Sequence, residues 1–70
     1  MVSRQQVGAR LAKKRKERGL SQFDVCKRIN VSRNSLAGWE SGVVSPSLSN
    51  IVKLADLYSC SIDDLAGRKQ

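Results

Sequence analysis

Apolar residues recur along this chain at the spacings of helix faces. Val7 and Leu11 stand four apart, Val25, Cys26 and Ile29 make one face, and Leu36 and Trp39 make another. Leu48, Ile51, Ala55 and Tyr58 form a stripe, and Ile62 and Leu65 complete the apolar set. No segment alternates residue by residue as a half-buried strand does. The polar punctuation agrees. Ser3, Ser21, Ser32, Ser47 and Ser61 each precede a helix-like segment, where a hydroxyl can accept a bond from a first-turn amide. Gln6, Asp24 and Asp64 follow three of these serines at the third position and can reach back to complete a capping box. Gly19, Gly42 and Gly67 suit left-handed positions after helices, and Asn30 is the next best residue for one. Pro46 falls between segments, where it breaks nothing. The pattern predicts five helices, roughly 3–18, 21–29, 32–41, 47–58 and 61–66, in an all-α fold.

Helix 4 also carries Val52, Leu54 and Leu57, so its apolar arc is wider than one core face requires. Two readings stand side by side: a central helix wrapped on several sides, or a helix that meets a second subunit. Seventy residues make one domain at most, with its core at about 3–66 and a short tail from 67 to 70. A chain of this size buries a marginal core and needs tight packing, a staple or a partner. Cys26 and Cys60 are too few for a disulfide scaffold, and without a close pair or any histidine they make no zinc site. They read as small buried hydrophobes of a reducing cytoplasm. No apolar run is long enough for a membrane span or a signal peptide, and no separate effector domain is expected.

Charge changes the picture. The chain carries +7 at neutral pH with a pI near 10.1. Residues 1–33 hold ten Lys and Arg against Glu17 and Asp24, whereas residues 34–70 are nearly balanced. Such one-sided excess is the footprint of a polyanion partner. A membrane-surface helix would set Trp, Phe and Leu opposite its cations. The basic first helix offers only Val7 and Leu11 as large apolar residues, which favours nucleic acid. Without His, a Gly-rich phosphate loop or a strand to present a nucleophile, no enzyme is indicated. The acids are scattered, and Asp63 and Asp64 read as first-turn residues of the last helix, favoured there by its dipole. No cofactor or small-molecule ligand is expected.

The informative stretch runs from Gln22 to Trp39: a short helix, a tight turn at Asn30, and a new helix from Ser32. Short helices joined this way cross steeply, so the second can enter a major groove. The segment RGLSQFDVCKRINVSRNSLAGWESG resembles the helix-turn-helix of the phage-repressor (Cro/cI-type, XRE) family, and SPSLSNIVKLADLYSCSIDDL is similar to that family's fourth and fifth helices. The resemblance covers about residues 5–66. It implies a compact five-helix lambda-repressor-like domain, usually dimeric on a near-palindromic operator.

Carried over by position, the resemblance makes Gln22 a holder of a backbone phosphate at the start of helix 2. It puts Cys26 under the helix crossing, where the family prefers Ala, and Asn30 where the family prefers Gly. Val25, Val31, Leu36 and Trp39 fall at the buried positions that fix the crossing. Ser32, Arg33, Asn34 and Ser35 open the recognition helix. Base-edge readers sit there: Arg33 can pair with guanine and Asn34 with adenine, Ser32 is a further base-edge candidate, Ala37 can touch at most a thymine methyl, and Ser32 and Ser35 can reach phosphate. Gly38 stands where the family often has a long base-reading side chain. Either close approach to DNA favours it, or that position is unread. Val43 and Val44 occupy a loop where basic phosphate contacts are common, and Phe23 a position that is usually polar.

Arg15 shares the Val7–Leu11 side of helix 1, where an unpaired charge is costly. Glu40 follows Leu36 by one turn, so a helix 1–helix 3 ion pair would satisfy both, and the resemblance implies the same pair. Its role would be to orient the recognition helix. Arg10, Lys14 and Arg18, at four-residue spacing on helix 1, are the remaining phosphate candidates. The expected activity is sequence-specific duplex DNA binding through helix 3, as a cytoplasmic transcriptional repressor, with a homodimer formed free or only on DNA. Two rivals remain: the autoregulating antitoxin of a toxin–antitoxin pair, and a protein-interaction adaptor that keeps the scaffold without reading DNA.

Overall fold

Among the described residues, every helix is capped at its start by a serine. The computed structural model describes residues 3–67 and contains α1 (Arg4–Glu17), α2 (Gln22–Ile29), α3 (Arg33–Ser41), α4 (Leu48–Tyr58) and α5 (Ile62–Ala66). Ser3, Ser21, Ser32, Ser47 and Ser61 each accept a bond from the amide three residues on. Gln6, Asp24 and Asp64 return the bond, completing the expected capping boxes. Each such cap stabilises its helix by about 1 kcal/mol.

The helix ends also follow the expected residues. Asn30, Gly42 and Gly67 close α2, α3 and α5 in the left-handed conformation, and Gly19 adopts it in the α1–α2 turn. Ser59 does the same after α4, at φ 54°. Its residue type announces no such role. The amide of Cys60 closes α4 there by reaching the Ala55 carbonyl at 3.0 Å.

Each helix contributes one fully buried side chain to the core: Leu11, Val25, Leu36, Leu54 and Leu65. Cys26, Ile29, Trp39, Ala55 and Tyr58 close around them. Three expectations about the core are corrected. Leu48 is 73% exposed and Ile62 is 42% exposed, whereas Val31 is half-buried and packs on the core from outside. On α4 the 3.6-residue period allows two overlapping arcs. Packing selects the one through Leu54, Ala55 and Tyr58 and leaves Leu48 and Val52 in solvent. Leu48 and Ile62 are also the first residues of their helices. The tail beginning at Arg68 lies outside the described residues.

α1 packs most extensively on α3. Gly8 makes this possible. A Cβ at Gly8 would strike the carbonyl oxygen of Trp39 and stand 2.5 Å from that of Glu40. At the end of α3, Gly42 comes against Gln5 in the same way. The two backbones therefore meet with nothing between them, and this sets where α3 sits.

Candidate nucleic-acid interface

α2 and α3 are joined by Asn30, Val31 and Ser32 alone. The left-handed Asn30 reverses the chain, and the Val31 amide bonds back to the Cys26 carbonyl at 3.2 Å. Val25 and Cys26 from α2 and Leu36 and Trp39 from α3 are buried together, so the crossing is held by packing beneath the turn. The exposed outer side of that turn carries Ser32, Arg33 and Asn34. Ser32 Oγ accepts the Ser35 amide at 3.1 Å and donates to Ser35 Oγ at 2.9 Å. One turn further along, Ala37 and Gly38 are half-buried.

Gly38 has a neighbour that the sequence does not announce. A Cβ there would meet Val44 Cγ2 at 3.0 Å. The amides of Val43 and Val44 both point to the Gly38 carbonyl, at 3.0 and 3.4 Å. The loop after α3 thus folds back over Gly38.

Arg15 and Glu40 form the expected ion pair. Arg15 Nε donates to Glu40 Oε2 at 2.7 Å and Nη2 donates to Oε1 at 3.1 Å. Their side chains are only 11% and 7% exposed. Arg15 Nη1 also donates to the Leu20 carbonyl at 2.8 Å, which ties the α1–α2 turn to the pair. The bond to Glu40 raises the Arg15 pKa further above its ordinary value. Tyr58 belongs to the same neighbourhood, and burial, with the Glu40 charge next, pushes its phenol well above the usual tyrosine range. Among the described residues its hydroxyl has no protein hydrogen-bond partner. Burial likewise raises the thiol pKa values of Cys26 and Cys60, both free cysteines.

Gln22, the first residue of α2, is half-buried, and its Nε2 donates to Glu40 Oε1 at 3.0 Å. The fold therefore brings Gln22 to the end of α3. It does not bring Arg10, Lys14 and Arg18 there. Arg10 packs against Gly67, Arg18 Nη2 donates to Ser59 Oγ at 3.3 Å, and Lys14 Nζ lies 3.8 Å from Glu17 Oε1. These three line the flank of α1 that faces α4 and α5, whereas α3 packs on the flank that carries Gly8. Phe23 is exposed, with the Lys27 ammonium 5.3 Å above its ring, a cation–π arrangement.

With this geometry, the match of a helix-turn-helix family model (HTH_3) to residues 11–65 decides the classification. The chain belongs to the helix-turn-helix family. It is 41% identical over 59 residues to the cryptic phage CTXphi transcriptional repressor RstR of Vibrio cholerae, covering 84% of this chain and 53% of that protein. It is 30% identical over 64 residues to the HTH-type transcriptional regulator ImmR of Bacillus subtilis, covering 91% of this chain and 50% of that protein. The chain thus spans about half the length of the curated relatives it matches. The restriction-modification controller protein C.AhdI of Aeromonas hydrophila superposes with a TM-score of 0.82 at 32% identity, over 89% of this chain and 94% of that one. A transcriptional regulator from Listeria innocua also reaches 0.82, at 31% identity over 93% of this chain and 61% of its own. In this helix-turn-helix chain, the family's turn is built with Asn30 and Cys26.

Three features of the helix-turn-helix were not legible in the sequence: the Gln22–Glu40 bond, the Gly8 contact and the cover of Val44 over Gly38. Gly8 left one trace, a glycine inside a helix, where it costs about 1 kcal/mol relative to Ala and so calls for a packing reason.

Proposed function

We propose that the protein is a transcriptional repressor that binds duplex DNA sequence-specifically, with α3 in the major groove. The observation that carries this reading is the exposure of Arg33 and Asn34 on the first turn of α3, above a buried crossing, in a chain of charge +7. Arg33 pairs with guanine O6 and N7, and Asn34 with adenine N6 and N7. Ser32, Ser35 and Gln22 contact phosphate beside them and set the register. Arg10, Lys14 and Arg18, on the α4–α5 flank, add long-range attraction rather than groove-side contacts. Repression follows from occupying a site that polymerase needs, in the cytoplasm.

The protein acts as a homodimer on a near-palindromic operator, with half-sites about 34 Å apart, one helical turn. Two bodies of charge +7 repel, so they meet best where no charge must be desolvated. Residues 41–52 carry no ionisable side chain and expose Val43, Val44, Leu48 and Val52. A second copy of the chain is the partner that fits such a neutral apolar surface, because a nucleic acid would use the cations instead.

Selection of bound sites from random duplexes tests the reading. The expected outcome is a near-palindromic site with that half-site spacing. Affinity should fall with salt at a log–log slope of about −0.9 per phosphate neutralised. Arg33→Ala and Asn34→Ala should each relax the sequence at one position of the half-site. Unselective binding, or selection that survives both substitutions, refutes base reading by α3.

A further inference from the structure

We propose that Glu40 is a positioning residue for Gln22, holding its side-chain amide so that one N–H is presented to a DNA phosphate. The inference rests on the DNA-binding reading above.

A carboxylate only accepts hydrogen bonds, so Gln22 can meet Glu40 through Nε2 and not through Oε1. The structure has this contact at 3.0 Å. The acceptor is itself immobile. Glu40 Oε1 also takes Arg15 Nη2 at 3.1 Å, Oε2 takes Arg15 Nε at 2.7 Å, and the Glu40 side chain is nearly buried. An amide nitrogen carries two hydrogens. One is held by Glu40, and the direction of the other is then fixed by the planar amide.

The location suits an anion. Gln22 and Phe23 are the first two residues of α2, and first-turn amides have no carbonyl one turn back. Together with the helix dipole they favour a phosphate oxygen. Holding Gln22 in the free protein means that its rotamer freedom is lost on folding and not on binding, which favours complex formation. Glu40 lies near the C-terminal end of α3, and Arg15 and the Leu20 carbonyl join α1 and the α1–α2 turn to it. The same carboxylate therefore sets the end of the reading helix and the phosphate donor. It fixes the distance between base contact and backbone contact.

The test is a cycle of operator affinities, measured by fluorescence anisotropy on a selected duplex. It compares the unaltered chain, Gln22→Ala, the paired change Arg15→Met with Glu40→Met, and the triple variant. Replacing a buried ion pair by apolar residues of similar volume tends to preserve folding, so the Met pair removes the acceptor of Gln22 while keeping the body. Gln22→Ala should weaken binding about tenfold in the unaltered chain, as for loss of a hydrogen bond to a charged group. In the Met background it should cost less than about twofold on the same scale. A readout that a merely structural role would not move is the order of the Gln22 side-chain amide in the free protein, from nitrogen-15 relaxation. It should be rigid in the unaltered chain, unlike Gln5 and Gln6, and mobile in the Met background.

Equal losses in both backgrounds, no loss in the unaltered chain, or a Gln22 amide as mobile as those of Gln5 and Gln6 overturns the proposal. If the Met pair does not fold, Glu40→Asp retracts the carboxylate by one methylene and serves as the second background, with the same outcomes. A chain that selects no duplex at all fails at the DNA-binding reading instead. Additive losses on a well-selected operator sink the positioning role alone.

Discussion

Gly8 of α1 and Glu40 of α3 meet backbone to backbone: a Cβ on Gly8 would lie 2.5 Å from the Glu40 carbonyl oxygen and 2.9 Å from its carbonyl carbon. Neither obstacle is the flexible end of a side chain, so α3 itself would have to move. Gly8→Ala gains about 1 kcal/mol of helix propensity but overpacks a backbone contact, which typically costs 1–3 kcal/mol or more. The expected outcome is net destabilisation together with weakened operator binding. Urea unfolding and duplex titration measure the two, and a variant as stable as the parent would contradict the close approach.

Gly38 is the opposite case. Its added Cβ would meet only Val44 Cγ2, at 3.0 Å, and Val44 is an exposed loop residue that can turn aside. Gly38→Ala should therefore stabilise the protein by about 1 kcal/mol. Thermal unfolding checks this, and a lowered melting temperature would mean that the Val44 cover is rigid.

Arg15→Ala leaves the Glu40 carboxylate buried without its cation. Breaking such a pair costs about 3 kcal/mol. Removing both partners should cost less than the two single losses added together, because neither charge is then stranded. A double-mutant cycle by chemical denaturation reads the coupling, and additive losses would show that the pair contributes nothing as a pair.

Asp24 provides the pH dependence. Its carboxylate accepts the Ser21 amide at 2.9 Å, and the Ser21 hydroxyl accepts the Asp24 amide at 3.0 Å. The backbone bond from Ser21, then the side-chain bond, holds its pKa below the usual aspartate value. A lowered folded-state pKa means that this contribution is complete above the unfolded value, about 3.9. It is lost as pH falls from there through the folded value. Following the Asp24 carboxyl by NMR should show the depressed titration, and Ser21→Ala, which keeps the backbone amide and removes only the hydroxyl, should return it part of the way toward the ordinary value. An ordinary titration in the parent would refute the bond from the Ser21 amide to the Asp24 carboxylate.

Leu48→Glu and Val52→Glu place charge on the neutral face of α4. Both positions are exposed, so thermal stability should change by no more than about 0.5 kcal/mol. Sedimentation should nonetheless show loss of the proposed dimer, and operator affinity should fall with it. Unchanged assembly in both variants would remove this face as the contact between copies.

The ends of the helices were legible in the sequence because they depend on neighbours in the chain. A serine three residues ahead of Gln6, Asp24 or Asp64 caps a helix through contacts that span a single turn, and a glycine or asparagine at a stop supplies the left-handed conformation locally. The Arg15–Glu40 pair was legible too, because a cation on an apolar face demands an acid and few were available. Arg33 and Asn34 were placed by the motif, and the structure leaves both open to solvent. Ser59 escaped notice because a serine carries no steric mark of a left-handed end. What the sequence by itself determined was therefore the limits of the described helices, the turn between α2 and α3, and the Arg15–Glu40 pair. Tertiary structure decided which arc of α4 faces inward, which flank of α1 receives α3, and where Gln22 and the Arg10–Lys14–Arg18 stripe come to lie. Those outcomes depend on close approach between residues far apart in the chain, at Gly8 and Glu40 above all, and helical periodicity gives each face of a helix but not the neighbour that will cover it.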